Sequence, residues 1–231
     1  MSQVMFPVAP VTVPVAGQNA RFCVRRIFCV GRNYAAHVRE MGGDPQRTPP
    51  VFFTKPADAI LRDGADFPYP PRTENLHPEV ELVVAIGLGG TNIAVSGALH
   101  HVVGYAVGND WTRRDLQANA KRGGEPWDMA KAFDHSASLG PIHLTTDVGH
   151  PFAGTIQLSV NGQVRQSGDL SAMITSVPQL IAELSTYVCL QPGDLMYTGT
   201  PDGVSAVVPG DRVVCVIEGL GSLVNTVVEH L

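Results

Sequence analysis

Glycine and proline interrupt this chain too often for long regular elements to form. The 231 residues include 24 Gly and 18 Pro, spread from PVAP at 7–10 to VPGD at 208–211. Proline cannot sit inside a helix or donate to a strand ladder, and clustered Gly and Pro mark turns. The chain must therefore build many short elements. With 44% hydrophobic and 16% charged residues, there is enough apolar material to bury a core around them.

Residues 21–34, RFCVRRIFCVGRNY, alternate as a strand and end in a turn. AAHVREMG (35–42) reads as a short helix closed by Gly42–Gly43, and DPQRTPP (44–50) as a loop. VFFTKPADAIL (51–61) is strand-like, broken at Pro56. FPYPPRTENLHP (67–78) carries four prolines and reads as an extended connection. This proline density suggests a boundary near residue 70, with an N-terminal segment over 1–70 and a main body over 71–231. The main body is mostly strand: 79–88 and 101–108 are apolar and β-branched. TIQLSVNGQVRQSG (155–168) predicts a hairpin about Asn161–Gly162, the pair a type I′ turn requires. A polar helix is expected over Asp115–Lys121. A second is expected over 176–190, with Ser176 as its N-cap, Pro178 in its first turn and Leu180, Ile181 and Leu184 as its apolar stripe. The two PGD sequences predict type I or II turns. The fold class is α+β, weighted towards β.

The net charge of -5 argues against a nucleic-acid partner. No apolar run approaches the ~20 residues of a membrane span. The N-terminus has three prolines and no basic residue before Arg21, unlike a signal peptide, so the expected compartment is the cytoplasm. Among the four cysteines, Cys29, Cys189 and Cys215 lie in apolar contexts and read as buried apolar side chains.

LHPEVELVVAIG (76–87) poses an electrostatic question. On a strand, Glu79 and Glu81 point to the same face, about 6.5–7 Å apart. Such a pair is either the solvated face of the strand or an oxygen-ligand site for a hard cation, with Asp110, at the end of the next apolar strand, as the candidate third ligand. His37 and Glu40, three apart on a short helix, are either surface neighbours or a carboxylate-held general base. Lys131, among apolar residues, either snorkels or holds an anion. Arg114 and Gln117 either bind a carboxylate or decorate a helix face. Thr200, in TGTPDG, offers a hydroxyl in a turn that is otherwise ordinary.

The ordered set CVGRNYAAHVREM (29–41), FFTKPADA (52–59), LHPEVELVVAIG (76–87), GYAVGNDWTRRDLQ (104–117), PWDMAKAFDHSASLGP (126–141), VNGQVRQSGDL (160–170) and GDLMYTGTPDGV (193–204) resembles the fumarylacetoacetate hydrolase family over nearly the whole chain from about residue 25. The resemblance implies a mixed β-roll or barrel with few short helices, and a homodimer. It implies a divalent cation, Mg²⁺ or else Mn²⁺ or Ca²⁺, on Glu79, Glu81 and Asp110. His37 and Glu40 are then a water-activating dyad on a lid helix. Lys131, Arg114, Gln117 and Thr200 bind a 2,4-dioxo acid, with Lys131 offsetting enolate charge. RNYAAHVREMG, TRRDLQ and PWDMAKAFDHSA look most similar to the fumarylpyruvate hydrolases of the gentisate pathway. The implied reaction is hydrolysis of the C–C bond of an acylpyruvate, fumarylpyruvate to fumarate and pyruvate. Acylpyruvate hydrolysis with another acyl group, oxaloacetate decarboxylation, dienoate isomerisation and a non-catalytic cation-binding module remain as alternatives. The lid and residues near Phe133–His135 are expected to shape the acyl pocket.

Overall fold

The protein, seen in a computed structural model, is described over residues 5–45 and 50–229. Two mixed sheets share one large core. The eight-stranded sheet runs in the order Val51–Lys55, Arg26–Gly31, Asp194–Tyr197, Val80–Ile86, Val102–Asp110, Ala137–Leu139 and Ile60–Arg62, with His143–Leu144 also pairing to Val102–Asp110. The five-stranded sheet runs Gln163–Asp169, Thr155–Val160, Arg212–Ile217, Gly221–Val228 and Phe67–Pro68. The short strands and few helices agree with the expected α+β fold.

Residue 70 does not divide this architecture. Asp194–Tyr197 pairs parallel with Arg26–Gly31, Ala137–Leu139 with Ile60–Arg62, and Gly221–Val228 with Phe67–Pro68. Each pairing joins a stretch before the prolines to one far beyond them. The prolines mark a crossing between sheets, not the edge of a folding unit.

The central strand Val80–Ile86 is buried on both faces. Leu82, Val84 and Ile86 join the large core with Ile156, Leu158, Cys215 and Leu223 of the smaller sheet. Val83 and Ala85 enter a second core with Ile27, Cys29, Ala106 and Leu195. Removing one such side chain, for example Leu82→Ala, costs about 2–5 kcal/mol. A strand covered on both sides has no solvated face, so whatever follows its polar periodicity is carried inside.

Several turns form as their residues dictate. Asn161 (φ 51°) and Gly162 (φ 79°) have the two positive φ values of a type I′ turn. Both PGD sequences make type II turns: Gly193 and Gly210 have φ of 95° and 96°, and Asp194 and Asp211 donate their N–H to Gln191 O and Val208 O, each at 3.1 Å. The helix Val177–Tyr187 carries a capping box, with the Gln179 carboxamide accepting the Ser176 N–H at 2.9 Å. It buries Leu180, Ile181 and Leu184. It stops short of the expected residue 190, because Val188 is extended (φ -140°, ψ 150°). That change of period turns Cys189 outward while Leu190 stays buried. Cys189 is thus exposed, contrary to its apolar context, whereas Cys29 and Cys215 are buried. The loop read at 44–50 lies largely outside the described residues.

Candidate active site

Strand register brings the three candidate carboxylates together. Val80–Ile86 and Val102–Asp110 are antiparallel, with Glu81 opposite Gly108 and Val80 opposite Asn109. One step further, the Asp110 N–H donates to Glu79 O at 2.9 Å. Residues opposite one another project to the same face. Glu79, Glu81 and Asp110 therefore leave the sheet on one side, at the end of the second core. They are 3%, 2% and 1% exposed, so the solvated-face alternative fails. One ligand oxygen from each lies within 4.8 Å of the others.

The charges around them are unequally shared. Glu79 Oε1 pairs with Arg114 Nη2 and its Oε2 with Lys131 Nζ at 2.7 Å. Asp110 Oδ2 pairs with Lys131 Nζ at 2.7 Å and its Oδ1 with Lys55 Nζ at 2.8 Å. Glu81 makes no ion pair among the described residues; it accepts the Gly199 N–H at 2.8 Å. Burial pushes the Glu79 carboxyl up, but Lys131, Arg114 and His37 outweigh it and hold the group well below the usual carboxylate range. Burial and the carboxylates of Asp110 and Glu79 push the Glu81 carboxyl well above that range. Burial alone would lower the Lys131 amine, yet Asp110 and Glu79 raise it. Three oxygen-donor side chains, buried and close, one of them without a cation, fit a hard divalent ion.

Lys131, at the end of a short helix (α3, Asp128–Lys131), does not snorkel. Its third donor goes to Thr112 Oγ1 at 2.6 Å, so all three N–H groups are used. Arg114 and Gln117 open another helix (α2, Arg114–Gly123) and are bonded to each other, Nη1 to Oε1 at 2.7 Å. Thr200 Oγ1 donates to Val80 O at 2.8 Å and accepts from Gln166 Nε2 at 2.8 Å, which fixes it beside the triad.

His37 and Glu40 lie on the helix Ala35–Glu40 (α1), with His37 Nδ1 3.0 Å from Glu40 Oε2. The Gly203 N–H donates to the other carboxylate oxygen at 3.1 Å. Gly203 (φ 92°) could not be another residue, because a Cβ there would stand 2.0 Å from Arg165 O. Gly199 (φ 98°) is constrained in the same way by Asn33, whose Cβ would be 2.8 Å away.

The triad, His37, Arg114, Gln117, Lys131 and Thr200 all line one cavity of ≈ 240 Å³. The same walls include Arg32, Phe53, Lys121 and Trp127, which the sequence reading did not assign, and Lys55 lies behind Asp110. Lys55 carried a signal: it is the only charge between Val51 and Ala57. Phe133, Asp134 and His135 do not shape this pocket. They line a separate cavity with Pro68, Pro70 and Arg113.

The comparisons agree with this architecture. The family model described as fumarylacetoacetate (FAA) hydrolase C-terminal matches residues 26–228. A fumarylpyruvate hydrolase from Ralstonia sp is 45% identical over 176 residues, covering 76% of this chain and 91% of that protein. A mitochondrial oxaloacetate tautomerase of Rattus norvegicus is 40% identical, covering 86% and 90%. The crystal structure of fumarylpyruvate hydrolase from Pseudomonas aeruginosa in complex with Mn²⁺ and pyruvate superposes with a TM-score of 0.97 at 49% identity, covering 99% of this chain and 100% of that one. A buried carboxylate triad on adjacent strands, a Glu40-held His37 in the wall of the same cavity and a family match over most of the chain lead to one conclusion: this chain belongs to the fumarylacetoacetate hydrolase family.

Proposed function

We propose that the protein hydrolyses the C–C bond of an acylpyruvate, converting fumarylpyruvate to fumarate and pyruvate, as in gentisate breakdown. The observation that carries this reading is that His37, held through Nδ1 by Glu40, lines the same small cavity as the buried triad. The 45% and 49% identities to fumarylpyruvate hydrolases support the choice of substrate.

Glu79, Glu81 and Asp110 would hold the cation, Mg²⁺ in our reading. Such an ion supplies Lewis-acid stabilisation of negative charge on the carboxylate and 2-oxo oxygens of a 2,4-dioxo acid. The remaining steps belong to the chain. Glu40, fixed by the Gly203 N–H, orients His37 through Nδ1, leaving Nε2 to take a proton from water. The hydroxide oxygen bonds to the distal carbonyl carbon, and the C–C bond to the methylene breaks. Its electron pair moves into the pyruvate enolate, and a proton delivered to that carbon gives pyruvate. Lys131 and Arg114, already placed against Glu79, add positive charge beside the enolate. Arg114, Gln117 and Thr200 position the substrate, and α1 acts as a lid carrying the dyad over it. The family resemblance supports a homodimer. The acidic balance supports a small-molecule partner and no nucleic acid. No helix among the described residues is long and apolar enough to cross a membrane, and the proposed compartment is the cytoplasm.

The likeness to an oxaloacetate tautomerase favours one second reading. Enolising or decarboxylating oxaloacetate needs the cation and Lys131 but no activated water. His37→Ala separates the two. Pyruvate release from fumarylpyruvate should fall by roughly 10²–10⁴-fold, while turnover of oxaloacetate largely survives. Equal loss of both activities would refute the role given to the dyad, and a wild-type protein that turns over oxaloacetate alone would favour the second reading.

A further inference from the structure

The cavity holds two cations that the triad does not use. Arg114 and Lys131 are committed to Glu79 and Asp110. Arg32 and Lys121 line the same cavity and make no ion pair among the described residues. Among the described residues, the only carboxylates in its walls are the triad itself.

Their placement is not accidental to the fold. Arg114, Gln117 and Lys121 stand at i, i+3 and i+7 on α2, so they share one helical face. Arg114 is held at the triad, and Lys121 stands roughly 10 Å further along the axis, at 1.5 Å per residue. Lys121 Nζ lies over the Trp127 ring, 5.2 Å from its centroid, and Trp127 and Phe53, whose ring centroids are 5.9 Å apart, give the cavity apolar walls. Arg32 has φ 69°, a left-handed backbone that glycine would adopt at no cost. Non-glycine residues held in that region cost stability and cluster at functional sites. Lys121 is exposed as a residue, but partial desolvation of its amine and the neighbouring Arg114 and Arg32 outweigh Glu79 and bring it down to about 8, as expected for cations gathered together.

We propose that Lys121 and Arg32 form a cationic end of the cavity that receives a second carboxylate on the acyl half of the substrate, selecting dioxo diacids over acylpyruvates with an uncharged acyl end. This rests on the hydrolase reading and extends it to the distal half of the substrate. In fumarylpyruvate the two carboxylates are six carbon–carbon bonds apart, a span suited to a site whose two cationic ends are separated along α2.

The test is selectivity. Lys121→Met keeps the stem against Trp127 and removes the charge; Arg32→Gly keeps the left-handed backbone and removes the side chain. In each variant the ratio of kcat/KM for fumarylpyruvate to that for acetylpyruvate should fall about tenfold or more, as for loss of one charge-assisted hydrogen bond, mainly through KM for fumarylpyruvate. An unchanged ratio in both variants overturns the proposal. If the wild-type protein hydrolyses neither compound, the hydrolase reading has failed and the subsite is judged by binding. Calorimetry with Mg²⁺ and pyruvate present compares fumarate with crotonate, which has the same skeleton and one carboxylate. Preference for fumarate in the wild type that is lost in both variants supports the subsite. No preference, or a preference that survives in both variants, overturns it.

Discussion

At Glu81 the chain buries a carboxylate within ligand distance of two others and offers it one backbone N–H, from Gly199. Glu79 and Asp110 each have two cations. Repulsion in the ion-free protein therefore concentrates at Glu81, and a neutral isostere should relieve it. Glu81→Gln should raise Tm by a few degrees in the presence of chelator. It should also lose most of the stabilisation that Mn²⁺ or Mg²⁺ gives the wild type. Thermal melts with and without metal check both halves, and a variant still stabilised like the wild type by metal would exclude Glu81 as a ligand. The i, i+2 spacing of these glutamates showed that they share a face, but not that the face is interior. That depends on Ile27, Ala106 and Leu195, which come from distant parts of the chain. Lys55 was unreadable as a partner for the same reason: Asp110 is brought to it only by the sheet. The left-handed backbone of Arg32 has no sequence signature at all.

The elements that carry the site are short and depend on local anchoring. The start of α2 is held by Asp115, whose carboxylate accepts from Thr73 Oγ1 at 2.6 Å, Glu74 N at 3.0 Å and Leu116 N at 2.8 Å. Burial pushes this carboxyl up, but those donors outweigh it and hold it below its ordinary value. A group whose folded pKa is depressed contributes stability above its unfolded pKa and loses it as pH falls through the folded value. Asp115→Asn should cost about 1 kcal/mol at neutral pH, the scale of a lost helix cap, and the gap should close as pH drops below about 4. Urea denaturation at pH 7 and pH 3 measures this; a gap that is constant with pH would contradict it. Elements fixed by their own residues were legible: the Asn161–Gly162 hairpin, both PGD turns and the Ser176 capping box. Cys189 was not, because its orientation depends on where the helix gives way to extended chain.

Three parallel pairings tie residues before 70 to strands that form later in the chain, which predicts that the molecule folds as one unit. A fragment of residues 71–231 lacks Arg26–Gly31 and Ile60–Arg62 and leaves Asp194–Tyr197 and Ala137–Leu139 with open edges. It should show no cooperative thermal transition and little near-ultraviolet circular dichroism; a sharp melt would restore a domain boundary near residue 70. The proline-rich 67–78 stretch made such a boundary look natural, since composition records where the chain turns but not which sheet it enters next. The motif set, by contrast, implied the family, and with it the mixed β architecture, from sequence alone.

The proposed chemistry requires a divalent cation on Glu79, Glu81 and Asp110 and a water-activating His37 to act on one substrate in one cavity. Its most direct test follows pyruvate release from fumarylpyruvate by chelator-treated protein before and after Mg²⁺ is added back, alongside the His37→Ala variant. The expected result is no turnover without metal, restoration by Mg²⁺ in the wild type, and no comparable restoration in His37→Ala. Turnover that survives chelation, or a variant that recovers like the wild type, would contradict it.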